Sequence, residues 1–183
     1  ERWTTNFAVP SRESDYDENT KTVTDATAGL KRTAFLLKGS LKDSSTTGVK
    51  IVNTGVTLVD GGKVSNKALY FDGTGNTYIT VKLAETYVDN KDFTLDWWEY
   101  RENNGTIACL NTSATTAYST LLISHQGGKL YGSYADSAWD RFNGVQAFDD
   151  SIRNTWTHYA LVKKGTQYTT YKNGVQYWTA AQN

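Results

Sequence analysis

The sequence predicts an all-β protein built as an antiparallel sandwich or barrel. Many short runs are rich in β-branched and aromatic residues and are bounded by glycine, asparagine or aspartate, which is typical of strands and their turns. No amphipathic stretch is long enough for a helix of more than a turn or two. Asn173-Gly174 lies between alternating runs, the strongest local signal for a hairpin. No segment repeats along the chain, which disfavours propellers and solenoids.

Composition excludes several classes of function. The 183 residues carry 19 basic and 19 acidic side chains, so no net field would hold a nucleic acid. No apolar run approaches the roughly 20 residues of a membrane-spanning helix. The single cysteine, Cys109, rules out an intrachain disulfide, and we interpret it as a small buried hydrophobe. Because the chain has no methionine, we expect it to be a fragment or a processed product.

The N-terminal residues 1–32 are expected to form an arm or linker. They are polar, carry the single proline, Pro10, and include an acidic-rich piece, and polar terminal segments are usually loose. The alternative is a strap to a neighbouring subunit through Trp3 and Phe7, whose exposure on a lone arm would be costly. The remaining residues, 33–183, are expected to form one domain.

Residues 67–100 organise the predicted fold as three successive strands. In the third, 93–100, the odd-numbered positions up to Trp97 are all apolar, whereas the opposite face combines Asp96 with Trp98. Such a strand packs one side on a second sheet and turns the other toward solvent or a ligand. The expected core residues are Leu36, Leu69, Phe71, Ile79, Val81, Phe93, Leu95, Trp97, Leu161 and Tyr171.

Alternation and turn residues place the other strands. Gly127-Gly128 and Lys164-Gly165 are expected as further hairpin turns, and an apolar run from Thr33 opens the series. One long polar connection, 135–153, is expected to interrupt it. The predicted strands are 49–53, 55–59, 68–72, 78–83, 93–100, 106–110, 121–124, 129–134, 156–163, 167–172 and 175–179.

Four separate pieces together resemble the concanavalin A-like, laminin G-like jelly-roll superfamily. KALYFDGTGNTYITV resembles the family's strand pair around a Phe-Asp-Gly turn, and DFTLDWW resembles its aromatic central strand. NTWTHYALVKKG followed by TTYKNGVQ resembles its Trp-x-His-x-Ala strand and Tyr-x-Asn-Gly hairpin. The resemblance covers residues 34–176 and implies an antiparallel jelly-roll β-sandwich of the concanavalin A-like lectin/glucanase type. Because this sandwich hosts lectins, hydrolases, adhesion modules and inert spacers, function must be argued from the residues.

The resemblance also implies that strands are missing at the C-terminal end. Members of the family usually continue beyond the Asn-Gly hairpin with further strands. We interpret 33–183 as a laminin G-like domain that is either truncated there or completed by the N-terminal arm or by a neighbouring chain. The last predicted strand, 175–179, carries no charge, and native proteins pair, cover or charge such an edge. We expect the N-terminal arm, residues beyond this sequence or another subunit to cover it. The last option would make the protein a homo-oligomer.

A glycan hydrolase of the same fold is the less favoured function. One branch of the superfamily carries paired carboxylates in a Glu-x-Asp-x-x-Glu arrangement. Asp96 and Glu99 match its later positions, but Thr94 replaces its first. The odd spacing of Asp96 and Glu99 also places them on opposite faces of a regular strand, whereas retaining hydrolysis needs carboxyl groups about 5 Å apart. We therefore expect no catalytic residues and no enzyme activity.

Both histidines are interpreted as structural, and a metal site stays unassigned. His158 matches the family's structural histidine in an alternating strand, and His125 adjoins a Gly-Gly turn. Calcium is the cofactor that the resemblance implies, but no loop is dense enough in carboxylates to assign it. The candidate oxygen ligands are Asp72, Asp136, Asp149 and Asp150.

The best candidate for a ligand site is the segment 134–143, YADSAWDRFN. Sugar recognition needs a flat apolar face against the ring's C–H groups and planar polar groups for its hydroxyls. Tyr134 and Trp139 would supply the apolar face. The polar candidates are Asp136, Asp140, Arg141 and Asn143. An equally weighted alternative is that Trp139 and Phe142 only pin a long loop, and that the charged pair is exposed and contributes little.

These observations favour a non-catalytic glycan-binding or adhesion module on a cell, appendage or phage-fibre surface. The alternative is a structural virion or appendage subunit, or a decoration domain, with no glycan ligand. A polar, cysteine-poor chain without net charge suits both roles, and both imply an extracellular surface or a virion. The expected partner is a surface glycan or a neighbouring subunit, without nucleic acid and without membrane insertion.

Overall fold

The computed structural model describes residues 37–45, 47–83, 91–103, 106–111, 120–124, 127–134 and 137–181. Side chains are described within these ranges except at 106–111, 120–122, 124, 131–134 and 137–141. Across this part of the chain the regular secondary structure is β, and each strand pair is antiparallel. No helix within these ranges is long and apolar enough to cross a membrane. The all-β antiparallel fold predicted from the sequence is confirmed.

The described residues contain twelve strands. They are β1 (Ile51–Thr54), β2 (Thr57–Asp60), β3 (Lys67–Tyr70), β4 (Tyr78–Val81), β5 (Phe93–Tyr100), β6 (Thr106–Asn111), β7 (Thr120–Ser124), β8 (Lys129–Tyr134), β9 (Ser137–Gln146), β10 (Trp156–Lys164), β11 (Gln167–Lys172) and β12 (Val175–Ala181). All but β9 begin and end within about two residues of the predicted strands, which is the usual uncertainty of an element's ends.

The chain divides into two compact units. In the ribbon unit, residues 37–83, β1 pairs with β4 and β2 pairs with β3 as two-stranded ribbons. Asp43 organises the loop before β1, because its buried carboxylate accepts hydrogen bonds from the backbone of Ser45 and Val49 and from the hydroxyls of Ser45 and Thr47. Short polar side chains that bond nearby backbone in this way stabilise turns without an apolar core.

The sandwich unit, residues 91–181, contains two four-stranded sheets. The first sheet has the order β12-β11-β10-β5, and the second sheet has the order β6-β7-β8-β9. The chain leaves the first sheet after β5, forms the whole second sheet as a meander, and returns with β10 beside β5. This long return to an earlier strand is the Greek-key type of connection that jelly-roll sandwiches use.

The hydrophobic core of the sandwich unit lies between its two sheets. Its buried members are Ile123, Leu130, Phe142, Ala147, Phe148, Tyr159, Leu161 and Tyr168. Phe93, Leu95 and Trp97 pack against this core from β5, as their alternation predicts. We call this side of the first sheet its inner face and the opposite side its outer face. The outer face has its own buried cluster of Ala160, Val162 and Tyr171.

The predicted polar connection at 135–153 is wrong in part, because ten of its residues form β9. Leu130 pairs with Val145 and Gly132 pairs with Phe142, so β9 has one more residue than β8 between these two pairs. Gly144 has a φ of 65°, the left-handed conformation that a glycine bulge requires. The dipeptide before Val145, Asn143-Gly144, is of the type that usually predicts a turn, but here it forms a bulge within β9.

The predicted core is wrong at one position. Leu161 is buried between the sheets and Tyr171 is buried on the outer face, whereas Phe71 is 47% exposed. β3 ends at Tyr70, so Phe71 lies beyond the strand pairing. Leu36 lies outside the described residues. The half-buried members of the predicted core are Leu69, Ile79, Val81, Phe93, Leu95 and Trp97.

Predictions about the two ends of the chain stay predictions. The arm at 1–32, its strap through Trp3 and Phe7, and the start of the domain at 33–183 involve residues outside the described ranges. Among the described strands of the first sheet, β5 forms one edge and β12 forms the other. Coverage of the β12 edge by the arm, by further residues or by another subunit is therefore untested.

Candidate functional site

The residues predicted to bind a ligand lie on the β8–β9 hairpin. Tyr134 is the last residue of β8 and pairs with Ser137, the first residue of β9. Asp136 lies outside the described residues. The members within β9 are Trp139, Asp140, Arg141 and Asn143. Asn143 is exposed, and the other side chains of this set are not described, so this ligand set stays a prediction.

Phe142, in the same strand, is a core residue. It is 5% exposed and packs edge-on against Tyr168 at 5.0 Å and against Trp178 at 5.7 Å between ring centres. The alternative interpretation, in which an aromatic residue pins this segment to the sandwich, therefore holds for Phe142.

A groove of about 220 Å³ lies on the outer face of the first sheet, over β10, β11 and β12. Its apolar floor is Val162 and Tyr171, which are 6% and 1% exposed. Burial raises the pKa of the Tyr171 phenol, so this group keeps its proton at neutral pH. The polar residues around the floor are Lys164, Gln167, Thr169, Gln176 and Thr179. The lining thus combines amides, hydroxyls and one ammonium group.

Strand alternation and register bring five of the seven lining residues together. Gln167, Thr169 and Tyr171 alternate along β11 and therefore share a face. Cross-strand pairing adds residues from β10, with Val162 opposite Thr169 and Lys164 opposite Gln167. A regular antiparallel pair of strands is enough to build this side of the groove.

A β-bulge in β12 completes the groove. The residues on either side of Tyr177 pair with consecutive residues of β11, so Tyr177 is one extra residue in β12. Gln176 and Thr179 are three residues apart and would lie on opposite faces of a regular strand. The extra residue moves the side chain of Thr179 to the same face as that of Gln176. Both therefore line the groove, while Trp178 packs against Phe142 on the inner face.

Thr179 is the centre of a chain of hydrogen bonds in the groove wall. Its Oγ1 donates to the backbone carbonyl of Tyr168 at 3.2 Å and accepts from Nε2 of Gln167 at 3.1 Å. Oγ1 of Thr169 lies 3.0 Å from the same atom. Mutual hydrogen bonds of this kind hold the polar groups of the wall in one arrangement before any ligand arrives.

The two carboxylates of the partial hydrolase motif lie on opposite faces of β5. β5 pairs with β10 over its full length in continuous register. On the outer face, Oδ2 of Asp96 lies 3.3 Å from Nε2 of His158, and on the inner face the indole of Trp97 donates to Glu99 at 2.8 Å. The expectation from their odd spacing is confirmed. This pair of carboxylates does not flank a common substrate position.

Glu99 belongs to a buried ion-pair network on the inner face. The guanidinium of Arg101 lies near Glu99, contacts the carboxylate of Asp150 and donates to the carbonyl of Ile152 at 2.8 Å. The backbone of Gly127 donates to the same Asp150 at 3.0 Å. A buried charge is tolerated only with such partners, so we interpret this network as structural.

Protein donors already engage the carboxylates considered as calcium ligands. A hydrogen bond from Thr77, with others from its turn, lowers the pKa of Asp72. Asp149 accepts from the ammonium of Lys172 at 2.5 Å, and Asp150 belongs to the network above. The fourth candidate lies outside the described residues. Among the side chains that the structure describes, no three His, Cys, Asp or Glu residues converge, and calcium stays an untested possibility.

His158 is a structural residue of the first sheet, as predicted. Its ring is fully buried and meets Trp98 edge-on at 5.3 Å. Its backbone N–H donates to the side chain of Asn173 at 3.0 Å, and the backbone N–H of Asn173 donates to its carbonyl at 2.9 Å. These bonds tie β10 to the turn between β11 and β12. His125 and the side chain of Cys109 lie outside the described parts.

The groove was not among the sites predicted from the sequence. Alternation in QYTTYK does indicate that Gln167, Thr169 and Tyr171 share a face, so this part of the lining had a readable signal. The two lining residues of β12 had none, because no glycine or proline in β12 marks the bulge that places Gln176 and Thr179 on the same face.

Comparison with known proteins agrees with this fold. No protein-family model matches the chain, and no curated protein matches it. One similar solved structure is domain 4 of AbnA, a GH43 extracellular arabinanase from Geobacillus stearothermophilus, in complex with arabinotriose. It has a TM-score of 0.56 and 17% identity, over 78% of this chain and 70% of that one. At this identity the likeness shows the fold alone, and the predicted antiparallel jelly-roll sandwich is confirmed, whereas the concanavalin A-like type stays a prediction.

Proposed function

We propose that the chain is a non-catalytic glycan-binding or adhesion module exposed on a cell, appendage or phage-fibre surface. The groove on the outer face of the first sheet is its sugar site. The observation that carries this proposal is the lining, in which hydroxyl and amide groups are held by mutual hydrogen bonds around an apolar floor. A sugar has C–H groups on its faces and hydroxyls at its rim. The groove complements both parts.

The size of the groove suits one unit of a longer glycan. Its volume of about 220 Å³ is below the about 300–1,000 Å³ of sites that enclose a drug-sized ligand. The side chains of Gln167, Gln176 and Thr179 are exposed, so a chain can enter from the side and continue beyond the groove. A site of this kind binds weakly by itself and strongly when several copies act together, as adhesion to a polymer requires.

The structural neighbour supports the same class of ligand. It is a domain of an extracellular enzyme and was solved with arabinotriose, a short glycan without charged groups. The shared fold makes a glycan-binding role at an extracellular surface the natural first hypothesis, although a fold by itself does not determine function.

We propose no hydrolase activity for this chain. Asp96 and Glu99 lie on opposite faces of β5, and Thr94 stands where the related hydrolases have a glutamate. The groove lining contains no carboxylate, so the paired acid and nucleophile of a glycosidase have no equivalent there.

A glycan array tests the proposal. We expect the wild-type protein to bind neutral oligosaccharides, and we expect Thr169→Val and Gln176→Ala to weaken binding about fivefold, since each removes one hydrogen-bonding group. Tyr177→Ser is the matched control, because Tyr177 adjoins Gln176 but does not line the groove. Trp139→Ala probes the hairpin predicted from the sequence.

The outcomes separate the alternatives. Binding that survives in the groove variants but is lost in Trp139→Ala would move the sugar site to the β8–β9 hairpin. An array that is blank for the wild-type protein and for Trp139→Ala would remove the glycan function and leave a structural subunit without a glycan ligand.

A further inference from the structure

We infer that the groove wall acts as a hydrogen-bond acceptor toward its ligand and therefore selects a neutral glycan whose hydroxyls donate to Thr169 and Gln167. This inference rests on the proposed function and adds the direction of the hydrogen bonds, which defines the class of glycan. The contacts of Thr179 carry this inference. Its hydroxyl has one proton, so it can donate in only one of these contacts and must accept in the others.

We assign the proton of Thr179 to the backbone carbonyl of Tyr168, one of the two acceptors within its reach. That carbonyl lies 3.2 Å from Oγ1 of Thr179 and can only accept. Thr179 can therefore only accept from its other two neighbours, Nε2 of Gln167 at 3.1 Å and Oγ1 of Thr169 at 3.0 Å. It follows that Gln167 turns its amide nitrogen toward Thr179, and that Thr169 directs its own proton to the same oxygen.

On Thr169 and Gln167 the atoms that remain for a ligand are one hydroxyl oxygen, one carbonyl oxygen and the second N–H of Gln167. Thr169 has committed its proton, so its oxygen offers lone pairs. Gln167 has one N–H committed and presents its carbonyl oxygen on the other side of the amide. Because both groups bond to one atom of Thr179, they lie close enough to meet neighbouring hydroxyls of a single sugar. Hydroxyls can donate to them, whereas a carboxylate or a sulfate cannot.

Lys164 does not reverse this preference. It lies across from Gln167 in the register and lines the groove, but its side chain is exposed to water. An ammonium in water attracts an anion only weakly. An anionic oxygen placed at Thr169 would meet lone pairs with no proton between the two atoms. We therefore expect neutral trisaccharides to bind more tightly than acidic ones of the same length.

The test measures binding of arabinotriose, xylotriose, maltotriose and trigalacturonate by isothermal titration calorimetry. For the tightest neutral sugar it then uses monodeoxy and monodeoxyfluoro analogues, because fluorine fills the place of a hydroxyl but has no proton. We expect at least one position at which both analogues bind about fivefold to tenfold more weakly. Thr169→Val should remove this difference, and Thr169→Ser should retain it.

Thr179→Val provides an independent reading of the direction. It removes the acceptor for the Thr169 proton, which is then free to point at the ligand. In this variant we expect the deoxyfluoro analogue to bind better than the deoxy one. No recovery in Thr179→Val overturns the inference.

Other results distinguish the inference from the proposed function. A deoxyfluoro analogue that binds the wild-type protein as well as the parent sugar overturns the inference alone, as does tighter binding of trigalacturonate that the groove variants weaken. Binding that no groove variant changes overturns the assignment of the groove. If none of the four sugars binds, both the inference and the proposed function fail.

Discussion

β5 and β12 lie in the same sheet, and each carries two polar residues that are three positions apart. In β5 these are Asp96 and Glu99, which lie on opposite faces because the pairing with β10 is continuous. In β12 they are Gln176 and Thr179, which lie on the same face because Tyr177 is an extra residue between them. Equal spacing in the sequence thus gives opposite results in the structure.

The difference shows that spacing in the sequence does not by itself place two side chains on one face. A bulge between them changes which face the second side chain occupies. Phe93, Leu95 and Trp97 of β5 all pack against the core on the inner face, so a shift of one residue in this strand is expensive. Both strands lie at an edge of the first sheet among the described strands, but in β12 only Trp178 packs against the core, so an extra residue costs less there. The residues that line the groove come together where the sheet contains this irregularity.

Deleting Asp96 should have the largest effect. The deletion places Leu95 next to Trp97, so one of them must leave the inner face, where Trp97 stacks on Tyr159 at 5.8 Å. Removing a large core side chain typically costs about 3–5 kcal/mol, and we expect a loss of more than about 4 kcal/mol of unfolding free energy. Urea denaturation measures it. Asp96→Ala is the control for the missing carboxylate, and equal stability of the deletion and the control would contradict this account of β5.

Acid should weaken the hairpin of β11 and β12 by a smaller amount. The hydrogen bond from Lys172, followed by that from Ser151, lowers the pKa of Asp149 to about 2. Because the unfolded value is about 3.9, this contribution is complete above about pH 4 and is lost as the pH falls through about 2. We expect a loss of about 1–2 kcal/mol between about pH 5 and about pH 2, measured by urea denaturation. Asp149→Asn should lack this part of the pH dependence, and an identical profile in both proteins would refute it.

Deleting Tyr177 should have the smallest effect, although it is also a deletion within a strand. The shortened strand restores regular pairing, with Gln176 still on the outer face and Trp178 still on the inner face. We expect a change in unfolding free energy within about 1 kcal/mol, by urea denaturation, and sugar binding within about twofold of the wild-type protein. Large destabilisation here, as in the Asp96 deletion, would show that β12 does not carry an extra residue.

Most of the fold could be predicted because local alternation and turn residues mark where its strands begin and end. β5, β8 and β11 combine alternation with flanking turn residues, and the structure follows them. β9 was missed because its polar residues were interpreted as part of a long connection, whereas pairing with β8 makes the segment a strand with a glycine bulge at Gly144. The sequence of this segment does not show the partner strand that decides between the two.

The candidate site was predictable only in part, for the same reason. Alternation along β11 places Gln167, Thr169 and Tyr171 on one face, but nothing local marks that face as a groove. The contribution of β12 depends on a bulge at Tyr177 that breaks the alternation without a glycine or a proline. The sequence instead favours the aromatic segment around Trp139, because aromatic and charged residues in a predicted loop are the more visible signal.

The turn between β11 and β12 also bears on how the protein ages chemically. An asparagine that precedes a glycine loses its side-chain amide readily in a flexible chain, because the next backbone nitrogen attacks the side-chain carbonyl carbon. In the folded protein the side chain of Asn173 is held by the backbone N–H of His158 at 3.0 Å, and Gly174 is buried. We therefore expect this attack to occur only in molecules in which the hairpin has opened. The rate at which stored protein accumulates aspartate and isoaspartate at position 173 therefore reports how often the strand pair that carries the groove opens.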